Sequence, residues 1–261
     1  TFTYKNVYLN EVSTIAGPYE KKGPLGSYFD KTYDEFYFHK KTWEQAESKL
    51  IEESIDIVLR KLNKTRFDID VHISGDLLNQ IVASNYAASR LKIPFLGIYS
   101  ACATSMEGMI IGANMVEAKL TKNCLVTTSS HNNAAEKQFR YPVEYGALKS
   151  KTATFTVTGG TCAYLSREKS MIKIDSATIG TVEDMGEKDA MNMGAVMTPA
   201  AASTIYKHLK NTKRDISYYD LILTGDLGVY GEKMLKEFME VEYRLKLKNY
   251  KDAGTMIYDL D

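Results

Sequence analysis

The chain has 261 residues, 44% hydrophobic and 25% charged, enough to build a sizeable core and too apolar for a disordered segment. Its 33 basic and 33 acidic residues cancel to a net charge of zero, which leaves no footprint for nucleic acid or for an anionic lipid surface. No apolar run reaches the roughly 18 residues of a membrane span. Three cysteines, Cys102, Cys124 and Cys162, are too few and too scattered for a disulfide framework or a zinc site, so a reducing compartment is expected. The chain begins at Thr1 and not at methionine; a leading segment is expected, trimmed or lying outside this sequence, and a secretion signal stays open.

Phe2 to Leu9 reads as a short strand. A long surface loop follows to about residue 40, with Gly17-Pro18, Gly23-Pro24 and an aromatic segment from Tyr28 to Phe38. Thr42 and Gln45 form a capping box that opens a helix with the apolar stripe Ile51, Ile55, Val58 and Leu62. Asp70 to Leu77 is a strand that breaks at Gly75. A helix from about Leu78 to Leu91 then leads to an apolar strand, Phe95 to Tyr99, bounded by Pro94. From about Ala103 to Lys119 the residues are apolar or small on every side, with Gly108 and Gly112 among Met106, Met109, Ile110, Ile111 and Met115, which predicts a helix buried all round. Cys102 stands where the strand turns into that helix. Unpaired N–H groups there favour a thiolate or a bound anion. Free cysteine is also among the most buried residue types, so an inert core thiol is the alternative.

Cys124 to Ser130 is the next strand. It runs into His131 to Gly146, a polar and aromatic loop at a strand end, where open α/β sheets hold their ligands. Thr152 to Val157 alternates as a strand, Gly159-Gly160 marks a tight turn, and Cys162 to Ser166 pairs back as a hairpin. Met171 to Ile179 is one more strand and Gly180 to Pro199 a methionine-rich loop. Pro199 to Lys210 is a helix, Tyr219 to Thr224 a strand, Met234 to Leu245 a helix and Thr255 to Tyr258 a strand.

Asp70-Val-His-Ile-Ser-Gly-Asp-Leu77 and Asp220-Leu-Ile-Leu-Thr-Gly-Asp-Leu227 share a pattern: an acid, a four-residue strand, then Gly-Asp-Leu. Each is preceded and followed by a helix, which indicates a duplicated α/β half-domain. The twin of the Cys102 helix does not appear before Asp261, so the chain is expected to continue beyond it.

These pieces resemble the thiolase-like superfamily, and Ser100-Ala-Cys-Ala-Thr-Ser105 resembles its nucleophile turn. More narrowly, the chain resembles the SpoVAD family of spore-forming Firmicutes from Gly17 to Asp259. The resemblance is carried by Gly75-Asp-Leu-Leu-Asn-Gln80, Pro94-Phe-Leu-Gly97, Thr128-Ser-Ser-His131, Gln138-Phe-Arg140 with Pro142 and Glu144-Tyr-Gly146, Thr156-Val-Thr-Gly159, Asn192-Met-Gly-Ala195 with Pro199-Ala-Ala201, and Thr224-Gly-Asp-Leu-Gly228. It implies an α/β, thiolase-like fold of two pseudo-repeated βαβαβαββ halves in α-β-α-β-α layers, about 1–167 and 168–261, the second incomplete. It also implies binding in place of turnover. The ligand would be dipicolinic acid (pyridine-2,6-dicarboxylate), free or as its calcium chelate, with no cofactor of the protein's own. The implied partners are the other SpoVA membrane proteins, in loading the forespore and in germination release, with the chain peripheral to the inner spore membrane; the fold also implies a homodimer.

A condensing enzyme of this fold needs a thiolate and a second-half histidine or asparagine. The four histidines are His39, His72, His131 and His208, and none follows a second-half strand, though a continuation past Asp261 is a place for one; an acyltransferase using Cys102 is the alternative function. A planar dicarboxylate asks instead for donors and positive potential. The ligand-binding candidates are Cys102, His131, Arg140, Asp76, Asn79 and Asn192. Arg140 suits a bidentate pair with a carboxylate, or equally an ion pair with Glu136 one helical turn away. His131 reads as a ligand contact or a structural hydrogen bond. Asp76 and Asp226 read as loop braces or caps, with calcium a minor alternative.

Overall fold

The computed structural model describes residues 1–141, 145–146, 148–189 and 191–258. Pro142, Glu144 and Asp259 of the motifs above lie outside the described residues. In chain order the strands are β1 (Phe2–Thr3), β2 (Tyr8–Ala16), β3 (Lys31–Thr32), β4 (His72–Asp76), β5 (Phe95–Gly97), β6 (Asn123–Ser130), β7 (Gly159–Ser166), β8 (Ile172–Lys173), β9 (Ser176–Ala177), β10 (Ile222–Thr224) and β11 (Tyr250–Asp252). The helices are α1 (Pro18–Lys22), α2 (Trp43–Lys61), α3 (Val82–Leu91), α4 (Thr104–Glu117), α5 (Asn132–Phe139), α6 (Met193–Thr212), α7 (Gly228–Tyr243) and α8 (Gly254–Ile257). They fall into two compact units, a larger one of residues 4–147 and 156–175 and a smaller one of residues 1–3, 148–155 and 176–261.

The larger unit is built on a seven-stranded mixed sheet in the order β3-β2-β7-β6-β4-β5, with β8 beside β2. β4 runs parallel to β5 and β6, and β7 antiparallel to β6 and β2. Alternation along β6 assigns its faces. Leu125 joins Cys162 and Tyr164 of β7 beneath α2 and α3, whereas Cys124 and Val126 meet Gly112 and Gly108 of α4. The α2 stripe lands as its spacing predicts: Ile51, Ile55 and Val58 are fully buried, each stabilising the fold by about 1.5–3 kcal/mol. Thr42 caps α2 by accepting from the Gln45 N–H at 3.3 Å, and the Gln45 side chain returns to the Lys41 N–H at 3.2 Å.

Several predicted boundaries move, each for a packing reason. Gly159 and Gly160 open β7 and make no turn; a Cβ on Gly160 would stand 2.8 Å from Leu50 Cβ, so glycine lets α2 lie against the sheet. Thr152 to Val157 is irregular, and its predicted hairpin with β7 is replaced by pairing of β7 with β2 and β6. β4 continues through Gly75 to Asp76, because Gly75 serves a close approach and not a break. The strand predicted over Phe2 to Leu9 is β1 and the start of β2, and that over Met171 to Ile179 is β8 and β9. The loop after His131 opens with α5. α4 is buried on one side only: Gly108, Gly112, Ala113 and Val116 are buried, but Met106 is 61% exposed and Met109, Ile110 and Ile111 are half-buried. The edge strand β5 also exposes Leu96, and no described strand covers its outer side.

In the smaller unit β10 and β11 pair in parallel, and Ala202 of α6, Leu235 and Met239 of α7 and Tyr250 of β11 form its core. β1 and β9 pair antiparallel. α6 starts at Met193, where the Asn192 side chain accepts from the Ala195 N–H at 3.4 Å, so Pro199 lies inside the helix. The last strand is β11, and the strand predicted over Thr255 to Tyr258 is replaced by α8, Gly254–Ile257. Asp252 ends the strand by accepting from the N–H groups of Leu227, Gly228 and Gly254 at 2.9, 3.2 and 3.0 Å, which also starts α7 ahead of the predicted Met234.

The contact at Gly160 is with the Leu50 Cβ and backbone and has no flexible tip to move aside. Gly160→Ala is expected to destabilise the fold by about 1–3 kcal/mol, read as a lowered melting temperature with unchanged secondary structure.

Candidate functional site

Because β4, β5 and β6 are parallel, the chain leaves all three at one edge of the sheet, after Asp76, Gly97 and Ser130. Close contacts bring these loops together. A Cβ on Gly75 would strike the Ile98 carbonyl oxygen and stand 2.5 Å from Thr104 Cγ2, and one on Gly97 would strike Ile81 Cδ1. The Asn79 N–H donates to Gln138 Oε1 of α5 at 2.9 Å. Asp76, Asn79, Cys102, His131 and Arg140 therefore all belong to the loops and helix starting at this edge.

Cys102 sits in a single 3-10 turn, Ala101–Ala103, immediately before α4, and it is exposed; the core-thiol alternative belongs to Cys124 and Cys162 instead. The Thr104 hydroxyl locks the turn, accepting from the Ser100 N–H at 3.0 Å and donating to the Ala101 carbonyl at 2.7 Å. Ala101 has φ 46, and across the site Gln80 and Ile81 have φ 57 and 48. Each such conformation costs of order 1–3 kcal/mol for a residue with a side chain, and such strain gathers where a fold holds a ligand or a reacting group.

Asp76 is buried, and its two oxygens accept from the N–H groups of Leu78 at 2.9 Å and Ser84 at 2.8 Å, so it braces the loop after β4. Burial raises its carboxyl above the ordinary range. Glu47 of α2 is fully buried and accepts from the Ser129 hydroxyl at 3.1 Å; burial, and then the neighbouring Asp76 charge, hold it well above the usual carboxylate range. His131 is fully buried among Phe36, Phe38 and Trp43, and its Nε2 donates to the Phe36 carbonyl at 2.7 Å. That bond fixes the tautomer, and burial lowers the ring's pKa, so the imidazole is neutral. Arg140 ends α5 in an ion pair with Glu136 at 2.6 Å; the Glu136 side chain is 3% exposed and that of Arg140 13%. Asn79 is exposed.

Asn192 belongs to the smaller unit, where it caps α6 and lines a cavity of about 360 Å³ together with Asp226, Lys151, Lys233 and Tyr258. A second cavity, about 610 Å³, lies in the larger unit against α2, between Lys31 and Phe67, and holds none of the predicted residues. Of the other histidines, His39 is exposed, His72 lies within β4 with Nε2 on the Thr127 hydroxyl, and His208 bonds Thr178 and Tyr219. Among the described residues no group of three or more His, Cys, Asp or Glu side chains is placed to hold a metal ion. Sequence reasoning missed Glu47 and Thr104. Glu47 had a signal: an acid one turn before Ile51, on the stripe that must be buried.

The three thiols differ sharply in this setting. Burial pushes Cys124 up to about 12 and holds Cys162 well above the usual thiol range, while Cys102 is open to solvent. Since the thiolate is the nucleophile, iodoacetamide at neutral pH is expected to label the native protein once, at Cys102, and to leave Cys102→Ala unlabelled, as read by intact-mass spectrometry.

Comparisons with known proteins bear on the family and the fold. The family profile for stage V sporulation protein AD (SpoVAD) matches residues 1–261. Stage V sporulation protein AD of Bacillus subtilis strain 168 is 47% identical over 255 residues, covering 98% of this chain and 75% of that protein. Among solved structures, OleA of Xanthomonas campestris aligns with a TM-score of 0.66 at 12% identity, covering 98% of this chain and 86% of its own. A 3-oxoacyl-(acyl carrier protein) synthase III, FabH, of Xanthomonas oryzae pv. oryzae aligns at 0.64 and 10% identity, covering 97% and 86%. At these identities the structural likeness shows the fold, a thiolase-like one. No described helix is long and apolar enough to cross a membrane. With a profile matched from end to end and nearly half its residues shared with the Bacillus protein, the chain belongs to the SpoVAD family of sporulation proteins, on a thiolase-like fold.

Proposed function

We propose that the chain is a non-catalytic binding protein for pyridine-2,6-dicarboxylate, free or with calcium as cargo. In this reading it acts at the forespore and spore inner membrane, peripherally and together with the other SpoVA membrane proteins. The observation that carries the reading is a mismatch at the site. The nucleophile turn keeps an exposed Cys102 at a helix start, yet His131 at the same sheet edge is fully buried with its Nε2 committed to the Phe36 carbonyl, away from proton-handling work. Each buried histidine of the chain is held in a structural hydrogen bond. A planar dianion is served instead by the exposed Asn79 amide and the Arg140 guanidinium. Titration of the purified chain with pyridine-2,6-dicarboxylate and with benzene-1,3-dicarboxylate is expected to favour the former by about tenfold, the worth of one hydrogen bond to the ring nitrogen. Equal or negligible binding of the two would end this reading.

The exposed thiol favours a second reading, an acyltransferase using Cys102. Incubation with acyl-CoA that loads wild type and not Cys102→Ala would establish it, and an unmodified wild type would remove it.

A homodimer is part of the same proposal, supported by the uncovered edge of β5 and the half-exposed apolar side of α4. Sedimentation is expected to give twice the chain mass for wild type and the single mass for Leu96→Asp combined with Met106→Lys, because burying two charges in that face is unfavourable. A monomeric wild type would exclude it.

A further inference from the structure

Glu47 has the least accommodating surroundings of any carboxyl at this edge. It lies on the buried stripe of α2, with Oε1 on the Ser129 hydroxyl at 3.1 Å and Oε2 without a hydrogen-bond partner. Among the described residues, the groups that act on it are Asp76, Ser129 and Glu44, and none of these is a cation. From its own helix comes Glu44, which is tied to Lys137 of α5 at 2.6 Å. From β4 comes Asp76, and beyond the end of β6 stands neutral His131. Arg90 of α3, across the α2 surface, is turned to Glu52 and Ser48. Two carboxyls in one low-dielectric region do not both ionise without such a cation. Two backbone N–H donors hold the charge on Asp76, while Glu47 has one hydroxyl, so the proton belongs on Glu47.

This pair stands directly behind the candidate site. Asp76 follows Gly75, whose α-carbon packs against Thr104 of the Cys102 turn, and Ser129 precedes His131 by two residues. We propose that Glu47 is a positioning residue that sets the charge of the ligand site: as a neutral acid it leaves Asp76 the single buried negative charge behind the Cys102 turn, and on ionising it adds a second and weakens the hold on an anionic ligand. The inference rests on the reading that this site takes a dicarboxylate, and it adds a regulation by pH. By linkage, an anion that binds better to the protonated form must draw a proton onto Glu47 as it binds.

Calorimetric titration with pyridine-2,6-dicarboxylate, from about pH 5.5 to 8.5 and in buffers of differing ionisation enthalpy, reads both effects. Wild type is expected to lose affinity by roughly tenfold or more as pH rises and to take up a proton on binding; Glu47→Gln is expected to bind with a flat profile and no uptake. Ser129→Ala, which removes the one donor favouring the ionised form, is expected to move the loss of affinity to higher pH, and it decides the matter should Glu47→Gln fail to fold. The same slope and the same proton uptake in wild type and Glu47→Gln, or an unmoved midpoint in Ser129→Ala, would overturn the inference and leave the dicarboxylate reading standing. A wild type that binds no dicarboxylate at any pH would remove both.

Discussion

At Gly75 the chain gives up a side chain so that three pieces of backbone can meet. The end of β4 lies against the Ile98 carbonyl, and Thr104 closes over it with a methyl group on Gly75 and a hydroxyl on the Cys102 turn. A Cβ there would displace backbone atoms on one side and the turn's own lock on the other. The strained φ of Ala101 persists because this contact over-determines it. Everything at this sheet edge inherits its position from that approach: Asp76 directly after it, the Gln80-Ile81 turn beyond, and Cys102 above Thr104.

The site combines an exposed thiol with buried groups that have withdrawn their charge. His131 is neutral because burial and the Phe36 carbonyl fix one tautomer. Glu136 is met by Arg140, and the Glu47–Asp76 pair has a single set of backbone donors to share. Behind this edge the negative charge is held on Asp76 by backbone N–H groups and on Glu136 by its ion pair with Arg140. The fold is one that OleA and a FabH share, so what separates this chain from those neighbours lies in the side chains placed on it.

The two halves of the internal repeat show how one motif is used differently. In the larger unit Asp76 of Gly75-Asp76-Leu77 accepts the N–H groups that shape the following loop. In the smaller unit the matching bracing falls to Asp252 at the end of β11, while Asp226 packs against Gly254 and faces a cavity. The repeat was legible because each copy needs an acid beside a strand end. Which acid does the bracing depends on where the neighbouring strand stops.

Periodicity alone determined the buried stripe of α2, the cap at Thr42, the strands β4 and β6 and the thiol at a strand-to-helix turn, since each depends on residues within a few positions of one another. Local sequence also carried the SpoVAD motifs, and so the family. Tertiary structure decided the rest, because those features depend on what lies opposite. Gly160 reads as a turn until Leu50 is seen above it, and α4 reads as buried all round until its sheet is found to cover one side only. Glu47 reads as one more helix acid until Asp76 and Ser129, distant in sequence, close around it in a space that water does not reach.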